Sequence, residues 1–243
     1  MQARDRTVAD WFTRIRTRQL TLPRFQRMEA WDHSAVADLL TTILRELPAG
    51  ATLILAVGDA EKFLSRTMVD APTDGERVSE QLLDGQQRLT ALWRSLNDTY
   101  QDRTYLVGFE EDPNHEGQER PYAYGQSRWW RNGQKYPVWV DYPQGCWERR
   151  FIPVHVLHPN AELSQVRSWV KAAVPNGDDA SRDDLFDTIV ALQQKVRNFN
   201  LPYLALPVET PREVALEVFV KMNTSSVRLT MFDIVVALVE ETA

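Results

Sequence analysis

The stretch Leu82-Leu-Asp-Gly-Gln-Gln-Arg-Leu-Thr-Ala-Leu92 must change conformation twice within a few residues. Val78–Leu83 reads as a strand, and Asp84-Gly85 is a strong turn pair. The spacing of Leu89, Leu92, Trp93 and Leu96 predicts a helix that opens immediately afterwards. A fold for this chain must therefore accommodate a strand, a glycine turn and a helix N-terminus in direct succession. Such a junction suits anions, because the first helical turn leaves N–H groups without intrahelical partners and the helix dipole favours negative charge there. Gly85 permits close approach of a ligand to the backbone. Arg88 offers a planar fork of donors suited to phosphate. Asp84 offers a carboxylate for a metal ion or a water, and Gln86 and Gln87 donate and accept without charge. The same residues also make an ordinary strand-to-helix turn with solvated side chains, and short motifs match by chance.

The flanking sequence supplies further elements. Thr7 and Asp10 form a capping-box-like helix start, followed by an apolar face of Val8, Trp11, Phe12 and Ile15. Leu20–Pro23 is extended. Asp32 caps a helix lined by Val36, Leu39, Leu40, Ile43, Leu44 and Leu47, which Pro48-Ala-Gly50 stops. Thr52–Val57 and Thr104–Phe109 predict strands. Residues 110–134, polar and aromatic with Gly and Pro, predict a long loop with short strands. Val138–Val140 and Arg150–Val156 predict short strands. Beyond Pro159 come helices over Ser164–Val174 and from a cap at Ser181, then a strand over Leu201–Val208. A helix opens at Thr210-Pro-Arg-Glu213, and a last one runs from Thr230 to about Val239. Helices and strands mix without a regular βαβ period, which predicts an α+β fold.

The chain of 243 residues carries a formal charge of −6, which argues against general coating of nucleic acid while leaving room for a local basic face. Arginines 4, 6, 14, 16, 18, 24 and 27 make one basic segment. A second contains Arg128, Trp129, Trp130, Arg131 and Lys135, with Trp139 nearby; aromatic planes beside cations suit a displaced base, and core packing is the other reading of these rings. The single cysteine, Cys146, excludes an internal disulfide and a multi-cysteine zinc site, which suits a cytoplasmic protein. No apolar run is long enough to span a membrane, and the N-terminus has no signal-peptide core. The abrupt end after a helix suggests a domain of a longer polypeptide.

Three separated segments together carry a family resemblance: Leu22-Pro-Arg-Phe-Gln-Arg27 with Trp31-Asp32, Leu83-Asp84-Gly-Gln-Gln-Arg-Leu-Thr-Ala-Leu92, and Val218-Phe-Val-Lys-Met-Asn-Thr224 with Leu229-Thr230 and Asp233. In this order they resemble the N-terminal domain of GmrSD-type, modification-dependent (type IV) restriction endonucleases; the defence proteins BrxU and SspE carry a similar domain. The resemblance runs from about Thr7 to Val239. It implies a ParB/sulfiredoxin-like mixed-sheet core over residues 1–160, completed by a helical extension over 161–243. In that fold a Gly-x-x-Arg element between strand and helix contacts nucleotide phosphates, and Gly85 and Arg88 match it. At Met28-Glu29-Ala30 the chain departs from the pattern, where Pro and an aromatic residue often follow Gln-Arg.

The resemblance further implies binding and hydrolysis of a nucleoside triphosphate with Mg²⁺ or another divalent metal. This would be coupled to DNA cleavage by a C-terminal or separate His-Asn-His-type nuclease domain. Arg88, Gly85, Gln26, Arg27 and Asn223 are the expected nucleotide contacts. Asp84 is the expected metal or water ligand, with Gln86 and Gln87 orienting the water; Asn223 also reads as a helix C-cap. The alternative expectation is a sensor module for modified DNA without turnover, carried by the aromatic segment at 128–135. His155 and His158 read as structural histidines without acidic neighbours.

Overall fold

A computed structural model describes residues 2–26 and 29–223; residues 1, 27, 28 and 224–243, and the side chain of Asn223, lie outside the described residues. Arg27 and the helix predicted from Thr230 therefore fall outside it. The architecture is α+β, as the mixed pattern predicts. Two compact units of described residues interleave along the chain: the first lies within 1–30, 50–90 and 200–243, the second within 31–49 and 91–199.

The first unit is built on a six-stranded mixed sheet of β1 (Gln2–Arg4), β2 (Leu20–Pro23), β3 (Thr52–Ala56), β4 (Ser65–Arg66), β5 (Glu80–Asp84) and β11 (Tyr203–Leu206). Their order is β1-β11-β3-β5-β2-β4. The motif strand β5 is thus internal, antiparallel to β3 and parallel to β2. Leu53, Leu55 and Leu83 bury against Ala215, Leu216 and Phe219 of α7 (Arg212–Asn223), with Phe25 and Phe63 closing the same cluster. Helix α1 (Val8–Arg16) starts as predicted: Thr7 Oγ1 accepts from Asp10 N at 3.2 Å, and Val8, Trp11, Phe12 and Ile15 are buried. Arg6, read from sequence as part of a basic surface, is buried. Its guanidinium makes two hydrogen bonds to Glu80, at 2.6 and 2.8 Å, and lies 4.3 Å from the ring centres of both Trp11 and Tyr203. A buried charge needs such pairing.

In the second unit, α2 (His33–Leu44) is capped by Asp32, whose Oδ1 accepts from Ala35 N at 2.8 Å. Val36, Leu39, Leu40, Ile43 and Leu44 are buried as predicted, but the helix ends before Leu47, which is exposed rather than buried. Strand β6 (Arg103–Glu111) lies between β7 (Glu119–Ser127) and β10 (Ile152–Pro153). The loop predicted over 110–134 is instead largely strand. Pro121 and Gly125 obscured β7, and both are tolerated because β7 is an edge strand, where a missing donor costs little. Strands β8 (Trp129–Arg131) and β9 (Gln134–Tyr136) form a hairpin about Asn132-Gly133. Both turn residues have positive φ, 51° and 75°, as a tight two-residue turn requires.

The strands predicted over Val138–Val140 and most of Arg150–Val156 are 3₁₀ turns, Val138–Asp141 and Val154–Leu157, followed in the first case by α4 (Pro143–Trp147). Prolines at 137, 143 and 153 remove ladder donors beside these segments. Helices α5 (Leu163–Ala173) and α6 (Asp179–Asn198) complete the unit. The α6 cap is Asp178, not Ser181: its carboxylate accepts from Ser181 N at 2.8 Å. Among the described residues no helix is long and apolar enough to cross a membrane.

Candidate functional site

The motif forms one junction inside the first unit. Strand β5 ends at Asp84, Gly85 turns with φ +98°, and α3 (Gln86–Leu96) begins, its first helical bond running from Leu89 N to Gly85 O at 3.0 Å. Leu82 and Leu83 are buried, so the strand side is fixed by packing. The β3–β5 pairing shifts by one residue next to the motif: Leu53 faces Asp84, whereas Ile54 faces Leu82. This bulge inserts Leu83 as an extra residue and re-aims the end of the strand, a common arrangement beside functional sites.

Arg88 folds back over this junction. Its Nη2 donates to Ala51 O at 2.6 Å and to Asp84 Oδ2 at 3.3 Å. The Arg88 side chain is 17% exposed and that of Asp84 25%, so the pair is mostly withdrawn from solvent yet reachable. Burial lowers the Arg88 pKa and the Asp84 carboxylate counters this, so the guanidinium remains charged at neutral pH. Gly50, at φ +78°, lies against it; a side chain there would overlap Arg88 Nη1. Gly50 and Ala51 are the contributors that sequence reading missed, for Pro48-Ala-Gly50 carries only the signal of a helix stop.

The other expected pocket residues take varied positions. Gln26 is buried and its Nε2 donates to Leu82 O at 2.6 Å and Leu83 O at 2.9 Å. It thereby covers strand carbonyls at the bulge, beyond the point where β2 pairs with β5. Its Oε1 is buried without a hydrogen-bond partner among the described residues. Gln86 is buried, while Gln87 is half-buried and its Oε1 accepts from Ala30 N at 2.9 Å. The structure thus gathers Asp84, Gly85, Gln86, Gln87 and Arg88, and sets Gln26 beside the same strand. Arg27 and the Asn223 side chain are not described.

No group of three His, Cys, Asp or Glu side chains suited to a metal ion occurs among the described residues. Asp84 alone cannot cage a resident ion. One carboxylate does fit Mg²⁺ that arrives on phosphate oxygens and keeps several waters, which is its usual mode at nucleotide sites.

The second expected site lies in the second unit and separates into parts. Arg128 is not on the surface: it makes two 2.7 Å bonds to Asp141, one of 3.0 Å to Thr104 Oγ1 and one to Tyr136 O. With its side chain 1% exposed, it cannot reach a phosphate and instead fixes the base of the β8–β9 hairpin. Trp129 and Trp130 are exposed, which excludes the core reading of these rings. Arg131 is exposed and Lys135 half-buried. Trp139 stacks on Phe151, with the Arg149 guanidinium 4.9 Å from its ring centre.

His155 does have an acidic neighbour, contrary to the sequence reading: burial lowers its pKa, and the Asp98 carboxylate only partly counters this. His158 Nδ1 accepts from Asn160 N at 3.1 Å, consistent with a structural role. Cys146 is fully buried, and burial pushes its thiol up to about 12. Such a thiol is inert as a nucleophile at neutral pH.

No curated protein matches the chain. The family of the GmrSD restriction endonuclease, N-terminal domain, matches it over residues 8–240, nearly its whole length. That span includes the strand–glycine–helix junction with Asp84, Gly85 and Arg88, and the chain belongs to the GmrSD restriction endonuclease N-terminal domain family.

Proposed function

We propose that this domain binds and hydrolyses a nucleoside triphosphate, serving as the regulatory part of a DNA-targeting, anti-phage restriction protein whose cleavage is carried out by a His-Asn-His-type domain. The observation that carries the reading is the placement of the Arg88 guanidinium beside the Asp84 carboxylate at a bulged strand end that runs directly into a helix N-terminus. A cation and the positive end of a helix dipole at one point favour a polyanion. The two charges already bonded together are preorganised, so a phosphate that takes over the Arg88 donors leaves the carboxylate at the same place. Asp84 would then hold Mg²⁺ carried by the phosphates or fix the attacking water. Gln86 or Gln87 would orient that water, and Gly85, Gln26, Arg27 and Asn223 would complete the pocket. Mg²⁺, when bound, would neutralise charge developing on the phosphates. A ParB/sulfiredoxin-like arrangement of the sheet and helix belongs to the same proposal.

Titration calorimetry of the chain with Mg²⁺ and each common nucleoside triphosphate, followed by phosphate-release assays, tests this reading. It predicts saturable binding with one site per chain and metal-dependent release. Absence of binding to every triphosphate would reject it.

A further inference from the structure

The β8–β9 hairpin divides its residues into supporting and presenting roles. Trp129 lies opposite Tyr136, and their rings stack with centroids 6.2 Å apart and planes 17° apart. Trp130 points to the other face, where its cross-strand partner is Lys135. Trp130 is the most exposed large apolar residue among those described, at 67%. Beneath it the hairpin is held by Arg128, buried and bonded to Asp141, Thr104 and Tyr136. The tip closes on Asn132-Gly133, with Arg131 exposed beside it. Segment 127–137 contains Arg128, Arg131 and Lys135 and no acidic residue. Asp141 neutralises Arg128 and Asp98 lies within Coulomb reach of Lys135, which leaves Arg131 as the most open charge.

An indole held out on a braced, positively charged hairpin is costly to leave in water and suited to a planar partner beside phosphates. We propose that Trp130 is a stacking wedge for DNA: its ring enters a gap in the base stack of a duplex, while Arg131 and Lys135 contact the flanking phosphates. Trp129 acts differently, as a positioning residue that stiffens the hairpin through Tyr136. DNA is favoured over a protein partner because the hairpin segment carries cations and no acidic residue in a chain of net charge −6, and because the family is one of restriction endonucleases. Entry into the stack costs least where a base is absent or mispaired. The hairpin should therefore prefer a duplex carrying such a defect, with or without nucleotide.

The experiment is fluorescence anisotropy of the full chain with two duplexes of one sequence, one fully paired and one with a single abasic position, at several salt concentrations. Wild type should bind the abasic duplex at least about fivefold more tightly, the lower end expected for one stacked base. Trp130→Ala should remove that preference without changing the melting temperature, and Trp130→Phe should keep much of it. Arg131→Ala with Lys135→Ala should weaken binding to both duplexes about equally and flatten the salt dependence. The proposal is overturned if wild type shows no preference, or if folded Trp130→Ala retains it. It is equally overturned if Trp130→Ala changes only the sedimentation behaviour of the chain, which would mark the hairpin as a protein contact.

Discussion

Arg88 Nη2 lies 3.3 Å from Asp84 Oδ2, so the two charged groups of the motif are partners before any ligand arrives. Sequence reading gave them separate tasks, phosphate binding and metal or water positioning. The pairing does not conflict with those tasks, but it changes what a substitution at either position should do, since each removal leaves the other charge exposed to its surroundings.

Arg88→Ala should abolish triphosphate binding in calorimetry. It should also cost stability, because Ala51 O loses its 2.6 Å donor and Asp84 loses its cation. Ala51 is exposed, so water can replace the lost donor, and about 0.5–1.5 kcal/mol is expected for the hydrogen bond. Arg88→Lys separates the two effects. It keeps the charge but not the planar fork, so it should restore much of the melting temperature while binding remains weak. Normal affinity in a folded Arg88→Ala variant would sink the phosphate role.

Asp84→Asn should leave binding measurable and remove most phosphate release. The amide preserves the shape of the carboxylate and can still accept from Arg88, but it carries no charge to hold Mg²⁺ or polarise a water. Loss of the Asp84 charge also frees Arg88 from its ion pair, so triphosphate affinity should stay constant or rise. Release at a near-normal rate from this variant would rule out Asp84 as the water- or metal-positioning group.

Gly85→Ala tests the turn. At φ +98° an L side chain is strained, and the new methyl group would overlap Thr52 Cγ2 and lie 3.0 Å from Thr52 Cβ. Backbone strain of this kind costs about 1–3 kcal/mol. Thermal denaturation should show a clear loss of stability, and Thr52→Ser in the same chain should recover part of it by removing the methyl that clashes. No change in melting temperature would mean that the turn can relax.

Much of the fold was legible where its signals are local. Capping residues Thr7 and Asp32, the apolar spacing of α1 and α2, and the Asp-Gly turn act within a few residues, and each predicted element is present. The long strand β7 was not legible: Pro121 and Gly125 speak against a strand, and only its position at a sheet edge permits them. The role of Arg128 was hidden for a related reason. Its partners Thr104, Tyr136 and Asp141 come together only when three segments fold, so a run of cations and aromatics in sequence gave no sign that its first member faces inward. At the candidate site, Asp84, Gly85 and Arg88 were legible as a motif, whereas the Ala51 carbonyl that holds Arg88 reaches it from another strand's approach.

Cys146 should resist alkylation by iodoacetamide at pH 8 in the native chain and react rapidly in denaturant. The thiol is fully buried, and its pKa is raised from 9.0 to about 12 by burial and by the Asp141 carboxylate. Since the folded pKa lies above the unfolded one, the native state holds the proton more tightly, and this contribution to stability is complete below pH 9 and lost as pH rises toward 12. Comparing the melting temperatures of wild type and Cys146→Ala across that window checks the sign: the gap should move against wild type as pH rises.

Gln26 decides between a ligand-binding and a bracing role at the motif strand. Its amide donates to both Leu82 O and Leu83 O, the carbonyls beside the bulge. These two bonds take the place of a neighbouring strand, because β2 pairs with β5 only at Glu80 and Gln81. Gln26→Ala should therefore destabilise the domain by about 1–3 kcal/mol through unsatisfied carbonyls, measured by urea denaturation. Gln26→Glu should be no better, since a carboxylate cannot donate to them and repels them when charged. Triphosphate affinity should fall in both variants only as far as the strand end loses its position. If both variants melt like wild type and still lose binding, Gln26 is a direct nucleotide contact rather than a brace. The buried Oε1, which has no hydrogen-bond partner among the described residues, is then the atom to place against the ligand.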